Sequence, residues 1–252
     1  MSILIPEELV TALNAARAVV VLTGAGVSAE SGIPTFRDAM EGLWAKYDPM
    51  QLATPEAFER DPETVTRWYD WRREKCAGAK PNPAHLALAE MQRAIEETGR
   101  SFTLITQNVD RLHQAAGSRD VIELHGTLWV WRCTHCGEER EERHVPFTQY
   151  PPQCACGGNR RPGVVWFGES LPEAALARTY QALEECDLFF AMGTSAVVQP
   201  AASFLHVARQ HRAKTVEINL TSTPASRLAD WSILGRAGEI LPELARRGLG
   251  KK

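Results

Sequence analysis

Val19-Val20-Val21-Leu22-Thr23-Gly24-Ala25-Gly26-Val27-Ser28-Ala29-Glu30-Ser31-Gly32-Ile33-Pro34-Thr35-Phe36-Arg37-Asp38 is the stretch on which the reading of this chain turns. Residues 19–22 are apolar and mostly β-branched, the pattern of a strand buried on both faces of a parallel sheet. The run ends in Gly24-Ala25-Gly26-Val27-Ser28-Ala29, which fits the phosphate-binding turn G-x-G-x-x-[GA]. Gly24 permits a tight turn, Gly26 lets backbone approach a pyrophosphate, and Ala29 keeps the following helix close to the sheet. Backbone N–H groups at that helix's start would face the phosphates. Glycines after a strand also serve plain turns, so the motif alone leaves both readings open.

The continuation departs from a hydride-transfer enzyme. Such an enzyme runs a full helix into a second strand that ends in an acidic residue about twenty positions on. Here Gly32 and Pro34 cut the helix short, and residues 34–38 read as a loop. A loop carrying Phe36 and Arg37 beside a dinucleotide site can fold over the cofactor. That favours chemistry on the ribose rather than on the nicotinamide ring.

The rest of the chain is ordinary in composition: 252 residues, 44% hydrophobic and 23% charged, as expected for one large domain or one with a small satellite. A net charge of −3 supplies no bulk attraction to nucleic acid or to an anionic membrane. The first residues lack the basic and long apolar regions of a signal peptide, and no run reaches membrane-spanning length. A cytoplasmic protein is expected.

Outward from the opening stretch, residues 7–16 read as a helix that precedes the first strand. Residues 41–97 are helical, charged and aromatic, divided by Pro49, Pro55, Pro62, Pro81 and Pro83, and lack sheet character. Residues 102–106 form the next strand and lead into Gln107-Asn108-Val109-Asp110. Such polar side chains past a strand tip line the ligand crevice of open α/β sheets; capping of the next helix is the competing role. Residues 121–126 give a further short strand ending in His125 and Gly126. Residues 162–169 are expected to return to the sheet. A helix over 172–185, a strand over 188–192 ending in Gly193-Thr194-Ser195, a helix over 201–210 and a strand over 215–219 ending in Asn219 follow. A final strand and helix close the chain.

Cys133-x-x-Cys136 and, after residues 137–153, Cys154-x-Cys156 have spacing suited to a structural tetrahedral zinc site. A reducing compartment disfavours disulfides. The close second pair leaves His135 and His144 as possible substitute ligands. Cys76 and Cys186 read as ordinary semi-buried thiols.

Taken together these motifs resemble the sirtuin family of NAD-dependent protein lysine deacylases. The matching residues are Gly24-Ala25-Gly26-Val27-Ser28 with 32–37, 106–110, Leu124-His125-Gly126, the four cysteines, 165–169, Gly193-Thr194-Ser195 and Ile218-Asn219. They run in family order across nearly the whole chain. The resemblance implies an α/β fold: a Rossmann-like parallel sheet, over 1–37, 100–126 and 164–252, with a smaller lobe made of a helical insertion (38–99) and a zinc ribbon (127–163). NAD and an acylated protein lysine would meet between them. Gly24, Ala25, Gly26, Ser28, Gly193, Thr194, Ser195 and Asn219 would hold the cofactor, with Gln107 at the nicotinamide ribose. Ile33, Asn108 and Asp110 would form the nicotinamide pocket, Phe36 would shield the reacting ribose face and Arg37 would sit near the phosphates. Val165, Phe167, Gly168 and Glu169 would line the acyl-lysine tunnel and pair with substrate backbone. His125 would be the general base, since imidazole titrates near neutral pH. The zinc would be structural.

Residues 52–55 followed by Trp68-Tyr69-Asp70-Trp71-Arg72-Arg73 look like the subgroup of that family which removes succinyl and malonyl groups. There a Tyr and an Arg three residues later bind the acyl carboxylate and an Ala widens the pocket; those positions are Tyr69, Arg72 and Ala53. A plain amphipathic helix with Arg72 and Arg73 in solvent is the alternative. Among rival functions, a hydride-transferring oxidoreductase lacks its acidic second strand. A nucleic-acid-binding zinc ribbon lacks a basic face, because Glu138, Glu139, Glu141 and Glu142 offset Arg140 and Arg143. An ADP-ribosyltransferase shares the early chemistry.

Overall fold

The computed structural model describes residues 4–35 and 48–250. Its frame is a parallel sheet of six strands: β1 (Ala18–Thr23), β2 (Ser101–Thr106), β3 (Ile122–Glu123), β7 (Leu188–Met192), β8 (Lys214–Asn219) and β9 (Trp231–Leu234). The spatial order is β3-β2-β1-β7-β8-β9, and every neighbouring pair is parallel. Burial on both faces explains the near-continuous apolar runs: β7 is buried at every position and β1 at all but its first.

Helices cover both faces. One face holds α1 (Glu7–Ala15), α6 (Pro83–Glu96) and α10 (Ala237–Leu249), whose Leu9, Leu88, Met91 and Leu244 share a core with Val19, Val21, Phe190 and Ile218. The other holds α8 (Glu173–Glu184) and α9 (Phe204–Gln210), packed on Val20, Leu22, Ile105 and Phe189. α6 was expected in the helical insertion. Its Ala84, Ala87, Leu88, Met91 and Ile95 stripe instead belongs to the core of the main sheet, as a stripe at helical spacing facing that sheet requires.

The smaller lobe contains an antiparallel sheet of three strands, β5-β4-β6: β4 (Gly126–Cys133), β5 (Glu139–Glu141) and β6 (Arg160–Val164). Against it pack α3 (Pro49–Leu52), α4 (Pro55–Arg60) and α5 (Pro62–Gly78), forming a third core of Leu52, Phe58, Trp68, Trp131 and Trp166. The prolines that divide this region open its helices. Pro55, Pro62 and Pro83 take first-turn positions behind Thr54, Asp61 and Asn82, whose side chains accept from Ala57 N, Thr64 N and Ala84 N.

Residues 162–169 therefore do not return to the main sheet. The chain through Val164 pairs with β4 in the small lobe, and 165–169 leaves that strand as irregular backbone. Burial and β-branching identify a strand but not the sheet that receives it.

Candidate active site

The sheet order reverses between β1 and β7, each strand's C-terminal end opening onto the same edge. In open α/β sheets a ligand crevice lies at such a switch point. Gly24 ends β1, and the helix it introduces, α2 (Ala25–Ala29), has only five residues before Gly32 and Pro34, as expected. Opposite stands Gly193, the residue after β7. Its φ of +56° suits glycine, and a Cβ there would lie 2.5 Å from Val27 N. A Cβ on Gly24 would lie 2.7 Å from the Gly193 carbonyl oxygen. The two tips are thus in backbone contact, joined by Gly26 N donating to Gly193 O at 2.8 Å.

Polar side chains ring this junction. Asn219 Nδ2 donates to Thr194 O at 2.7 Å, and Gln107 Nε2 to Thr194 Oγ1 at 3.1 Å. Ser195 is exposed and Gly193, Thr194 and Asn219 half-buried. Amide and hydroxyl groups at adjacent strand ends are a donor set that fits a sugar–phosphate ligand. Deeper in, Ser28 Oγ donates to Asp110 Oδ2 at 2.7 Å, while Asn108 Nδ2 donates to Gly24 O (3.1 Å) and Ser28 Oγ (3.0 Å). Ser28, Asn108 and Asp110 are all buried. Burial raises the Asp110 carboxyl, while Leu112 N and Ser28 stabilise its charged form. The sequence did not signal the network behind them: Thr23 Oγ1 donates to Thr106 Oγ1, and the His113 ring, buried beside His85, meets Thr23 at 2.9 Å.

His125 occupies the turn between β3 and β4, where the chain crosses from the large sheet to the small one. The expected strand is shorter than read, and Gly126 already belongs to β4. Gly126 has φ +69°, and a Cβ there would sit 2.0 Å from Gly163 O, so only glycine starts this strand. His125 Nδ1 lies 3.1 Å from the Gln107 carbonyl oxygen. A carbonyl only accepts, so Nδ1 carries the hydrogen and Nε2 keeps its lone pair. Burial lowers the imidazole from its usual 6.5, opposed by that hydrogen bond.

Across the crevice, Ala53 and Tyr69 are buried and Arg72 half-buried. Phe167 N donates to Ala53 O at 2.9 Å, and Val165 N to His125 O at 2.9 Å. Candidate substrate residues from three segments are thereby brought together, with Ile33 and Val109 packed on the same core. Arg72 lies 5.4 Å from the Tyr69 ring centroid and helps to hold down the Asp110 carboxyl. Glu169 departs from expectation: its carboxylate is taken by Arg161 Nη1 (2.5 Å), Arg161 Nη2 (2.9 Å) and Trp166 N (2.8 Å). Its backbone N also donates, to Trp166 O at 3.0 Å. Gly168 is exposed in the same turn. Phe36 and Arg37 lie outside the described residues.

The sequence also missed what Arg73 does. It is fully buried, pairs with Asp70 at 2.7 Å, and donates to the carbonyls of Glu142 and His144, both at 2.8 Å. Asp70 in turn accepts from Phe147 N and Tyr150 Oη, both at 2.7 Å. The solvated-helix alternative fails for Arg73, because nothing in an i, i+3 pattern foretells a partner 69 residues away.

Cys133, Cys136, Cys154 and Cys156 place their sulfurs within 4.8 Å of one another. Cys133–Cys156 and Cys136–Cys154 are 3.5 and 3.7 Å apart, close to the ~3.8 Å edge of a tetrahedron with zinc–sulfur bonds of about 2.3 Å. His135 and His144 are exposed and stand outside this cluster. Arg160 Nη2 and His135 N each reach a cysteine sulfur at 3.4 Å, the kind of donor that supports thiolate ligands. Four thiolates fill a zinc ion's coordination and leave no position for a reacting water.

A family model for Sir2 matches residues 24–200. The chain belongs to the Sir2 family. A relative from Pseudomonas aeruginosa named NAD-dependent protein deacylase 1 is 51% identical, over 96% of this chain and 98% of its own. A solved Sir2 homologue–NAD complex superposes with a TM-score of 0.92 at 49% identity, covering 98% of this chain and 95% of the other. A Sir2 variant with deacetylated p53 peptide and 3′-O-acetyl-ADP-ribose gives 0.83 at 34% identity, over 98% and 99%. This sirtuin has the expected fold class: a six-stranded parallel sheet with a smaller, cysteine-bearing lobe.

Proposed function

We propose that this sirtuin removes acyl groups from protein lysines with NAD as co-substrate, releasing nicotinamide and an O-acyl-ADP-ribose, and that succinyl and malonyl groups are among those it accepts. The observation that carries the reading is His125, held at the mouth between the lobes as a neutral imidazole with Nε2 free of the Gln107 contact. When bound, NAD would supply a ribose carbon that the acyl oxygen bonds as the bond to nicotinamide breaks, with water consumed in freeing the lysine amine. His125 Nε2 takes a proton from a ribose hydroxyl, which makes that oxygen the nucleophile toward the acyl carbon. Gly24, Ala25, Gly26, Gly193, Thr194, Ser195 and Asn219 hold the ADP-ribose part, and Gln107 the nicotinamide ribose. Ile33, Asn108 and Asp110 form the nicotinamide pocket, with Ser28 fixing Asp110. Val165, Phe167 and Gly168 flank the acyl-lysine and extend its peptide by strand addition.

The acyl end lies against Ala53, Tyr69 and Arg72. Burial pushes the Tyr69 phenol up to about 12, so it stays protonated and can donate. Arg72 offers a planar fork for a carboxylate. No helix among the described residues is long and apolar enough to cross a membrane, and six cysteines without a disulfide suit a reducing cytoplasm. The test is a panel of acetyl-, succinyl- and malonyl-lysine peptides incubated with NAD, with nicotinamide release measured. Succinyl- and malonyl-lysine should be the better substrates. Arg72→Met should lower desuccinylation selectively, by roughly 2–5 kcal/mol of transition-state binding. Equal loss on all acyl groups would reduce Arg72 to a general structural charge.

A further inference from the structure

We propose that Trp166 is a positioning residue for acyl choice: its indole N–H fixes the Tyr69 hydroxyl so that the phenolic hydrogen is presented to the acyl carboxylate beside Arg72. This rests on the reading that the enzyme accepts succinyl and malonyl groups. Trp166 Nε1 lies 2.9 Å from Tyr69 Oη, across 97 residues of sequence, and both side chains are buried. The indole nitrogen only donates. Tyr69 oxygen must therefore accept, and its own hydrogen has to point elsewhere. A lone phenol can rotate that hydrogen about its C–O bond, whereas one lone pair tied to Trp166 leaves a single favoured direction. Since Tyr69 keeps its proton, what the site controls is where the hydrogen points.

The indole is itself immobilised. The Arg161 guanidinium stacks 3.3 Å from the centre of its ring, Phe58 packs 5.5 Å away at 41°, and its backbone N donates to Glu169. Arg161 is buried and fixed by both Glu169 oxygens and by Val164 O. Phenylalanine could fill most of this space and stack on Arg161, so packing alone does not call for an N–H here. The N–H is needed only if the direction of the Tyr69 hydroxyl matters.

The experiment is a double-mutant cycle with Trp166→Phe and Tyr69→Phe, measuring kcat and KM on succinyl- and acetyl-lysine peptides at saturating NAD. A misdirected donor to a charged group should lower the succinyl-to-acetyl ratio of kcat/KM about tenfold in Trp166→Phe, chiefly through KM for the succinyl peptide. In the Tyr69→Phe background the same change should leave that ratio unaltered. A tenfold fall that persists without the Tyr69 hydroxyl, or an equal loss on both peptides, overturns the proposal. Should Trp166→Phe fold poorly, benzothienylalanine at 166 keeps the ring shape without the N–H and gives the same readout. A wild type that ignores succinyl-lysine refutes the acyl reading and this inference together. A wild type that prefers succinyl-lysine and keeps that preference in both variants refutes this inference alone.

Discussion

The proposed role of His125 as general base depends on one carbonyl that fixes its tautomer. With Nδ1–H committed to Gln107 O, the proton-accepting lone pair sits on Nε2 before any substrate arrives. Burial lowers its pKa from 6.5, so the active neutral form persists to lower pH than in a free imidazole. Activity should therefore be flat around neutrality and fall on acidification, with a midpoint below 6.5 set by His125. A kcat/KM profile with its acid limb above that value would contradict this assignment. His125→Ala should lose roughly 10²-fold or more in deacylation on general-base grounds, while its melting temperature and metal content stay near those of the wild type. Near-normal turnover in that variant would remove His125 from the mechanism.

At the scale of the element, α5 is the helix on which specificity and stability meet. Tyr69 and Arg72 carry the proposed acyl specificity, and Asp70 and Arg73, one residue further round each time, lock into residues 142–150. Removing one partner from a buried ion pair leaves the other desolvated, so Arg73→Met should cost about 3–5 kcal/mol, measured as loss of stability in urea. A change within about 0.5 kcal/mol, the usual scale for surface substitutions, would mean that the pair carries no net stability. The same helix shows what a sequence can and cannot disclose. Tyr69 and Arg72 were singled out by resemblance, and their three-residue spacing puts them on one helix face. The burial of Arg73 was not legible, because besides Asp70 its partners are the carbonyls of Glu142 and His144, brought to it only when two distant segments fold together. Gly24 and Gly193 were legible as turn glycines, but their contact depends on strand order. Residues 162–169 read as a strand of the main sheet, but the chain through Val164 joins the small one, because an apolar run does not say which sheet receives it; Glu169 has its carboxylate engaged by Arg161.

Across the whole molecule, β4 begins beside His125 and ends at Cys133, so the four cysteines sit at the far end of that strand, in the lobe that also holds α5 and the proposed acyl end. Chelation of zinc should therefore unfold the small lobe and abolish activity indirectly, with the loss of activity following loss of structure in circular dichroism. Full activity in Cys133→Ala, or protein purified without chelator that contains no zinc, would count against a structural metal. Around the proposed acyl end the chain is stitched by His125 O to Val165 N, Ala53 O to Phe167 N, and Tyr69 to Trp166. These stitches bear on how sirtuins can diverge. The small lobe is two inserts, one before β2 and one after β3, and the contacts that define the acyl end run between the inserts rather than within either. A recombination event that swaps residues 126–164 alone would sever Arg73 from its carbonyls and bring in a foreign 142–150. Exchanging both inserts, with the 165–169 turn, keeps every stitch and carries the acyl preference across intact. On the proposed acyl reading, a hybrid of this chain that takes only one insert should fold poorly and lose its acyl discrimination.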